Sequence, residues 1–111
     1  MRKEGDEPTK EDPPMKTLEE IERILRETKP FLKETYAVKT IGIFGSYATR
    51  GQKEGSDLDL LVEFEKPVGF FKFLDLEEYL ESIIGIKVEL VTRKALKPAI
   101  GERILSEVVE I

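Results

Sequence analysis

Residues Ile43–Phe64 read IFGSYATRGQKEGSDLDLLVEF, and the rest of the chain is best understood outward from this stretch. From Asp57 to Phe64 the acidic residues Asp57 and Asp59 alternate with Leu58, Leu60, Val62 and Phe64, the period-two pattern of a strand with one apolar face. Alternation puts the two carboxylates on the same side, some 7 Å apart at Cα. Ten residues separate Asp57 from Gly45-Ser46. There a glycine lets backbone approach a phosphate closely, and a serine adds a hydroxyl beside a helix N-terminus. The preceding run Val38–Phe44 (VKTIGIF) is β-rich, so the expected order is strand, Gly-Ser, helix, strand. Such an arrangement suits a metal–nucleotide complex at the edge of a small sheet.

Charge sharpens that reading. Two carboxylates about 4 Å apart repel by roughly 1 kcal/mol in water and about 4 kcal/mol at a near-surface dielectric, so something positive must offset them. Mg²⁺ takes oxygen ligands and keeps positions for water and substrate phosphates. A third strand is expected at Lys87–Val91 (KVELV), where Glu89 faces the same way as Lys87 and Val91 and can add a third carboxylate. Its alternative is a salt-bridged strand residue. Ser46 serves equally as a plain N-cap. Ser56 trims the turn before the strand or helps in the site. Arg50 and Lys53 reach a phosphate or sit as solvated charges. Arg93 and Lys94, just past the third strand, are nucleotide or partner contacts, or surface charge.

The flanking sequence supplies the frame. Residues 1–14 (MRKEGDEPTKEDPP) hold no large apolar residue after Met1 and read as a disordered charged tail, leaving 15–111 as one domain. Thr17-x-x-Glu20 is a capping box, followed by Leu18, Ile21, Ile24, Leu25 and Leu32 at helical spacing. Pro30 is expected to kink or split that helix. Phe70–Ile84 is amphipathic, with Phe73, Leu76, Tyr79, Leu80, Ile83 and Ile84 on one face and Gly85 as its stop. A short helix is expected around Lys97–Leu105, and Val108–Ile111 closes as a strand or tail.

Composition excludes several chemistries. The 111 residues contain no Cys and no His, which removes disulfides, a thiolate nucleophile and the usual general base. Chemistry here rests on carboxylates, hydroxyls, Lys, Arg and backbone. A net charge of −5 argues against coating nucleic acid as a main task, because phosphate affinity rests on Lys and Arg. No apolar run approaches the roughly 20 residues of a membrane span, and no secretory pattern opens the chain, so it reads as cytoplasmic.

Gly45-Ser46, Asp57-x-Asp59 and the segments SDLDLLVEF, GFFKFLDLEEYLESIIG and KVELVTRKALKP together resemble the minimal nucleotidyltransferase (MNT) family of the DNA polymerase β-like nucleotidyltransferase superfamily. The likeness spans roughly residues 17–111. It implies an α/β (α+β) fold, a small mixed β-sheet with helices packed on it, forming a nucleotidyltransferase-type core. It implies that Gly45, Ser46, Ser56 and Arg50 bind nucleotide, and that Asp57, Asp59 and Glu89 are catalytic and hold two Mg²⁺ ions. The chain departs from the family by carrying Glu rather than the usual Asp at position 89. A side chain one methylene longer could displace a catalytic ion by about 1 Å, enough to cost around 100-fold in rate.

Members of this group resemble antitoxins encoded with HEPN-domain ribonucleases. The implied reaction moves AMP from Mg·ATP to a tyrosine hydroxyl of that toxin. The rival expectation is a binding module that neutralises its partner by occlusion, using Phe70-Phe71-Lys72-Phe73. Phe73 belongs on the core face, and Phe70 and Phe71 cannot both join it comfortably. Homo- or hetero-oligomers fit either reading.

Overall fold

The computed structural model describes residues 16–53 and 55–111; the tail expected at 1–14 lies outside them. Helix α1 spans Leu18–Tyr36, β1 Val38–Phe44, β2 Leu58–Phe64, α2 Phe70–Ile84, β3 Val88–Thr92, α3 Pro98–Glu107 and β4 Val109–Glu110. A single 3-10 turn, Arg93–Ala95, links β3 to α3. Among the described residues no helix is long and apolar enough to cross a membrane.

The capping box forms as expected. The Glu20 N–H donates to Thr17 Oγ1 at 3.2 Å, and the Thr17 N–H donates to Glu20 Oε1 at 2.9 Å. Pro30 does not split α1, which runs unbroken through it. The proline deprives the Arg26 carbonyl of its helical donor, but Arg26 and Pro30 both lie on the exposed face, where water can replace it.

The sheet has the order β3-β2-β1-β4. β1 pairs antiparallel with β2 and with β4, whereas β2 and β3 run parallel, so the sheet is mixed as expected. Alternation sends Leu58, Leu60 and Val62 to one face, opposite Ile41, Ile43, Val88 and Leu90 of the neighbouring strands. Both long helices bury their apolar stripes on this face, through Leu18, Ile21, Leu25 and Leu32 of α1 and Leu76, Leu80 and Ile84 of α2. The Tyr36 hydroxyl ties the two helices by donating to Asp75 Oδ2 at 2.9 Å.

On the opposite face Gly42 lets the C-terminal segment close in. A Cβ there would stand 2.6 Å from Val108 Cγ2 and 3.2 Å from the Val109 carbonyl oxygen. Strand β4 thereby reaches β1, and the Ile111 N–H donates to the Ile41 carbonyl at 3.0 Å.

Candidate active site

β1 ends at Phe44, which pairs with Asp59. The next residue, Gly45, turns the chain with φ +75°, a conformation open to glycine and strained for other residues. The turn brings backbone directly against Asp59. A Cβ on Gly45 would lie 3.1 Å from Asp59 Cγ and collide with Oδ2. Glycine at this position is therefore required twice, by its dihedral angle and by the carboxylate beside it.

The expected helix after Gly45-Ser46 does not form. Residues 45–50 make a hydrogen-bonded turn, in which the Thr49 N–H donates to the Gly45 carbonyl (3.1 Å) and the Gly51 N–H to the Ser46 carbonyl (2.8 Å). Gly45 and Arg50 (φ +61°) are both left-handed, leaving room between them for a single turn. Tyr47 anchors the loop, with only 2% of its surface exposed in a core built mostly of aliphatic residues. Desolvation by burial pushes its hydroxyl pKa up. Sequence reasoning passed over Tyr47; its signal was a large aromatic placed directly after the Gly-Ser turn.

The three carboxylates share one face of the sheet. Asp57 stands just before β2 and is exposed. Asp59 is half-buried within β2 and lies in register with Glu89 on the adjoining parallel strand. Neighbouring strands lie roughly 4.8 Å apart, so Asp59 stands between two like charges. Burial first, then Glu89 and Asp57, push its carboxyl pKa up from the ordinary value. Among the described residues no three acidic side chains converge to metal-ligating distance. The arrangement is an open trough of negative charge, with oxygen donors of the kind a hard divalent cation takes.

The remaining candidates fall into two groups. Ser46 sits on the turn beside Asp59. The Ser56 hydroxyl accepts the Lys53 N–H at 2.8 Å, which employs it in shaping the loop. Arg50 turns toward α1 and forms an ion pair with Glu19. That bond is the main cause lowering the Glu19 carboxyl pKa. Lys53 is exposed. Arg93 sits at the far end of β3, bonded to Glu110 (3.2 Å) and near Glu63 (3.8 Å), about 13 Å along the strand from Glu89. The structure therefore keeps Gly45, Ser46, Asp57, Asp59 and Glu89 together and leaves Arg93 and Lys94 away from them.

A groove of about 570 Å³ opens at that far end, lined by Phe64, Pro67, Val68, Phe70 and Phe73 among others. It holds none of Asp57, Asp59 and Glu89.

Comparison with known proteins follows the same lines. Residues 25–111 match the family model described as Nucleotidyltransferase domain. Protein adenylyltransferase MntA of Thermococcus cleftensis is 48% identical over 97 residues, covering 87% of this chain and 98% of that protein. A solved structure described as a candidate minimal nucleotidyltransferase superposes with a TM-score of 0.74 at 32% identity, over 86% of this chain and 97% of that one. The MNT antitoxin in complex with a tri-AMPylated HEPN toxin of Shewanella oneidensis shares the fold. Its TM-score is 0.54 at 19% identity, over 84% of this chain and 66% of the matched one.

Proposed function

The chain belongs to the nucleotidyltransferase domain family, and on that footing we propose that it transfers AMP from ATP to a tyrosine hydroxyl of a HEPN-type toxin, acting as its antitoxin. The observation that carries this reading is the contact of Gly45 with Asp59 beside Asp57 and Glu89, which sets a phosphate-accessible turn against a carboxylate trough. A relative of similar length is named as a protein adenylyltransferase, and the Shewanella complex pairs the same fold with an AMPylated HEPN toxin.

The donor chemistry suits Mg²⁺, with carboxylate oxygens on one face and the central one destabilised by burial and by its neighbours, and the side chains would have to draw together to ligate it. Asp57, Asp59 and Glu89 would hold it, and when bound it supplies charge neutralisation at the phosphates and at the attacking oxygen. The backbone of Gly45 and the Ser46 hydroxyl bind and orient the triphosphate. The acceptor hydroxyl forms its bond to the α-phosphorus as the bond to the bridging α,β-oxygen breaks, and pyrophosphate leaves. Glu89, exposed at the trough rim, takes the hydroxyl proton on a carboxylate oxygen.

A second reading has its own observation. Phe70 and Phe71, at the start of α2, are 69% and 83% exposed, an apolar pair suited to docking a partner. Occlusion of the toxin would use that surface and leave the trough idle. Intact-mass spectrometry of the toxin after incubation with this protein, ATP and Mg²⁺ separates the two. AMP-sized mass gains that vanish with Asp59→Asn support transfer. A toxin bound and inhibited at unchanged mass supports occlusion and overturns transfer.

A further inference from the structure

Glu89 stands on an edge strand of the sheet. Strand β3 is an edge strand, with β2 on one side and no strand on the other. An edge strand normally leaves alternate backbone groups facing outward without partners. In β3 the inward parity is set by Lys87, whose carbonyl accepts the Leu58 N–H at 2.8 Å. The outward N–H groups are therefore those of Val88 and Leu90, the two residues flanking Glu89.

Both outward amides meet a carboxylate from α2. The Val88 N–H donates to Glu81 Oε2 at 3.0 Å, and the Leu90 N–H donates to Glu77 Oε2 at 2.9 Å. The pairing follows from geometry. Gly85 (φ +83°) ends α2 and returns the chain, so helix and strand run antiparallel and the earlier glutamate meets the later amide. Four residues of helix advance about 6.0 Å, and two residues of strand advance about 6.6 Å. Glutamates four apart on the helix thus reach amides two apart on the strand. Like charges at that helical spacing repel, and among the described residues neither glutamate has an ion-pair partner. The two charge-assisted bonds to the strand are what the pair accomplishes.

We propose that Glu77 and Glu81 are positioning residues, which pin the backbone on both sides of Glu89 and hold its carboxylate in register beside Asp59. The inference rests on Glu89 being a working member of the site. It assigns to the helix the restraint that a fifth strand, beyond β3, would otherwise provide. Outer partners of this kind typically change metal affinity or activity by about 10- to 100-fold.

The test uses the full chain with Mn²⁺ alone as probe, in Glu77→Ala/Glu81→Ala, Glu77→Gln/Glu81→Gln and Glu89→Gln variants. Hydrogen exchange is read at the Val88 and Leu90 amides, and Mn²⁺ affinity by titration. Expected in the double alanine variant are faster exchange at both amides and Mn²⁺ binding weakened about tenfold. The double glutamine variant, whose side-chain carbonyls still accept, should recover both. Faster exchange with Mn²⁺ affinity within about twofold of the parent would reduce the glutamates to structural edge caps and overturn the proposal. If Glu89→Gln itself leaves Mn²⁺ binding unchanged, the role of Glu89 fails first, and the positioning role with it. Should the double alanine variant not fold, the single alanine variants carry the same comparison, each at its own amide.

Discussion

The two faces of β2 lie one backbone apart and have opposite fates. Leu58, Leu60 and Val62 are fully buried beneath α1 and α2, whereas Asp59 is half-buried among charges that repel it. The first set lowers the free energy of the fold, whereas the ionised Asp59 raises it. The strand can hold both because its side chains alternate, so a residue's parity decides which role it takes. Strain at functional positions is then tolerable only because the opposite face is well packed.

The sharpest way to break this contrast is Asp59→Asn. If the trough works as a metal and phosphate site, AMP transfer should fall by about 10³-fold or more, roughly 4 kcal/mol of transition-state stabilisation, as read by toxin mass gain over time. Stability should move the other way. A carboxyl with a raised folded pKa contributes stability that is complete below its unfolded value and is lost as pH rises through its folded value. At neutral pH the ionised Asp59 therefore costs stability, and Asp59→Asn should raise Tm there. The gain should shrink on acidification through the raised Asp59 value toward the ordinary carboxylate range. Mg²⁺ should raise the Tm of the parent and not of the variant. A variant less stable than the parent at neutral pH would mean that Asp59 is a structural acceptor.

Leu60→Ala, one residue along, should do the reverse. Removing a fully buried side chain costs about 2–5 kcal/mol by chemical denaturation, while the molecules that remain folded keep their transfer rate. A large loss of rate per folded molecule would show the two faces to be coupled. Gly45→Ala should affect both at once. A left-handed alanine costs on the order of 1–2 kcal/mol, and its Cβ would push the Asp59 carboxylate aside, so Tm and rate should fall together.

Much of this contrast was legible in the sequence because it is local. The alternation of β2, the capping box at Thr17 and the stop at Gly85 each depend on residues a few positions apart, and the bounds of α2 coincide with its apolar pattern. What escaped depends on tertiary position. Pro30 was expected to interrupt α1, but its cost is small where the freed carbonyl faces water. A helix was expected after Ser46 because Gly-Ser resembles a helix start, yet the left-handed Arg50 closes the segment after one turn. The partner of Arg50 is Glu19, 31 residues away, and the charges themselves carry no trace of that pairing. Glu77 and Glu81 carry no sequence signal that sets them apart from the other glutamates of α2. Only the position of β3 at the sheet edge shows why they lie four apart.

Phe71 supplies the smallest expected effect on the fold and for that reason the cleanest comparison. The apolar stripe of α2 leaves out Phe71, which is 83% exposed, so Phe71→Ser should change stability by no more than about 0.5 kcal/mol. It lies beside the groove at the end of the sheet away from Asp59 and can reach the reaction only through a docked partner. If the partner rests there, the variant should weaken toxin binding several-fold in a pull-down or titration while leaving Mn²⁺ affinity at the trough unchanged. Weakened binding with retained transfer at high toxin concentration would place docking and chemistry at opposite ends of one sheet. Undiminished toxin binding would return the exposed pair to ordinary surface and leave the trough as the site that meets the partner.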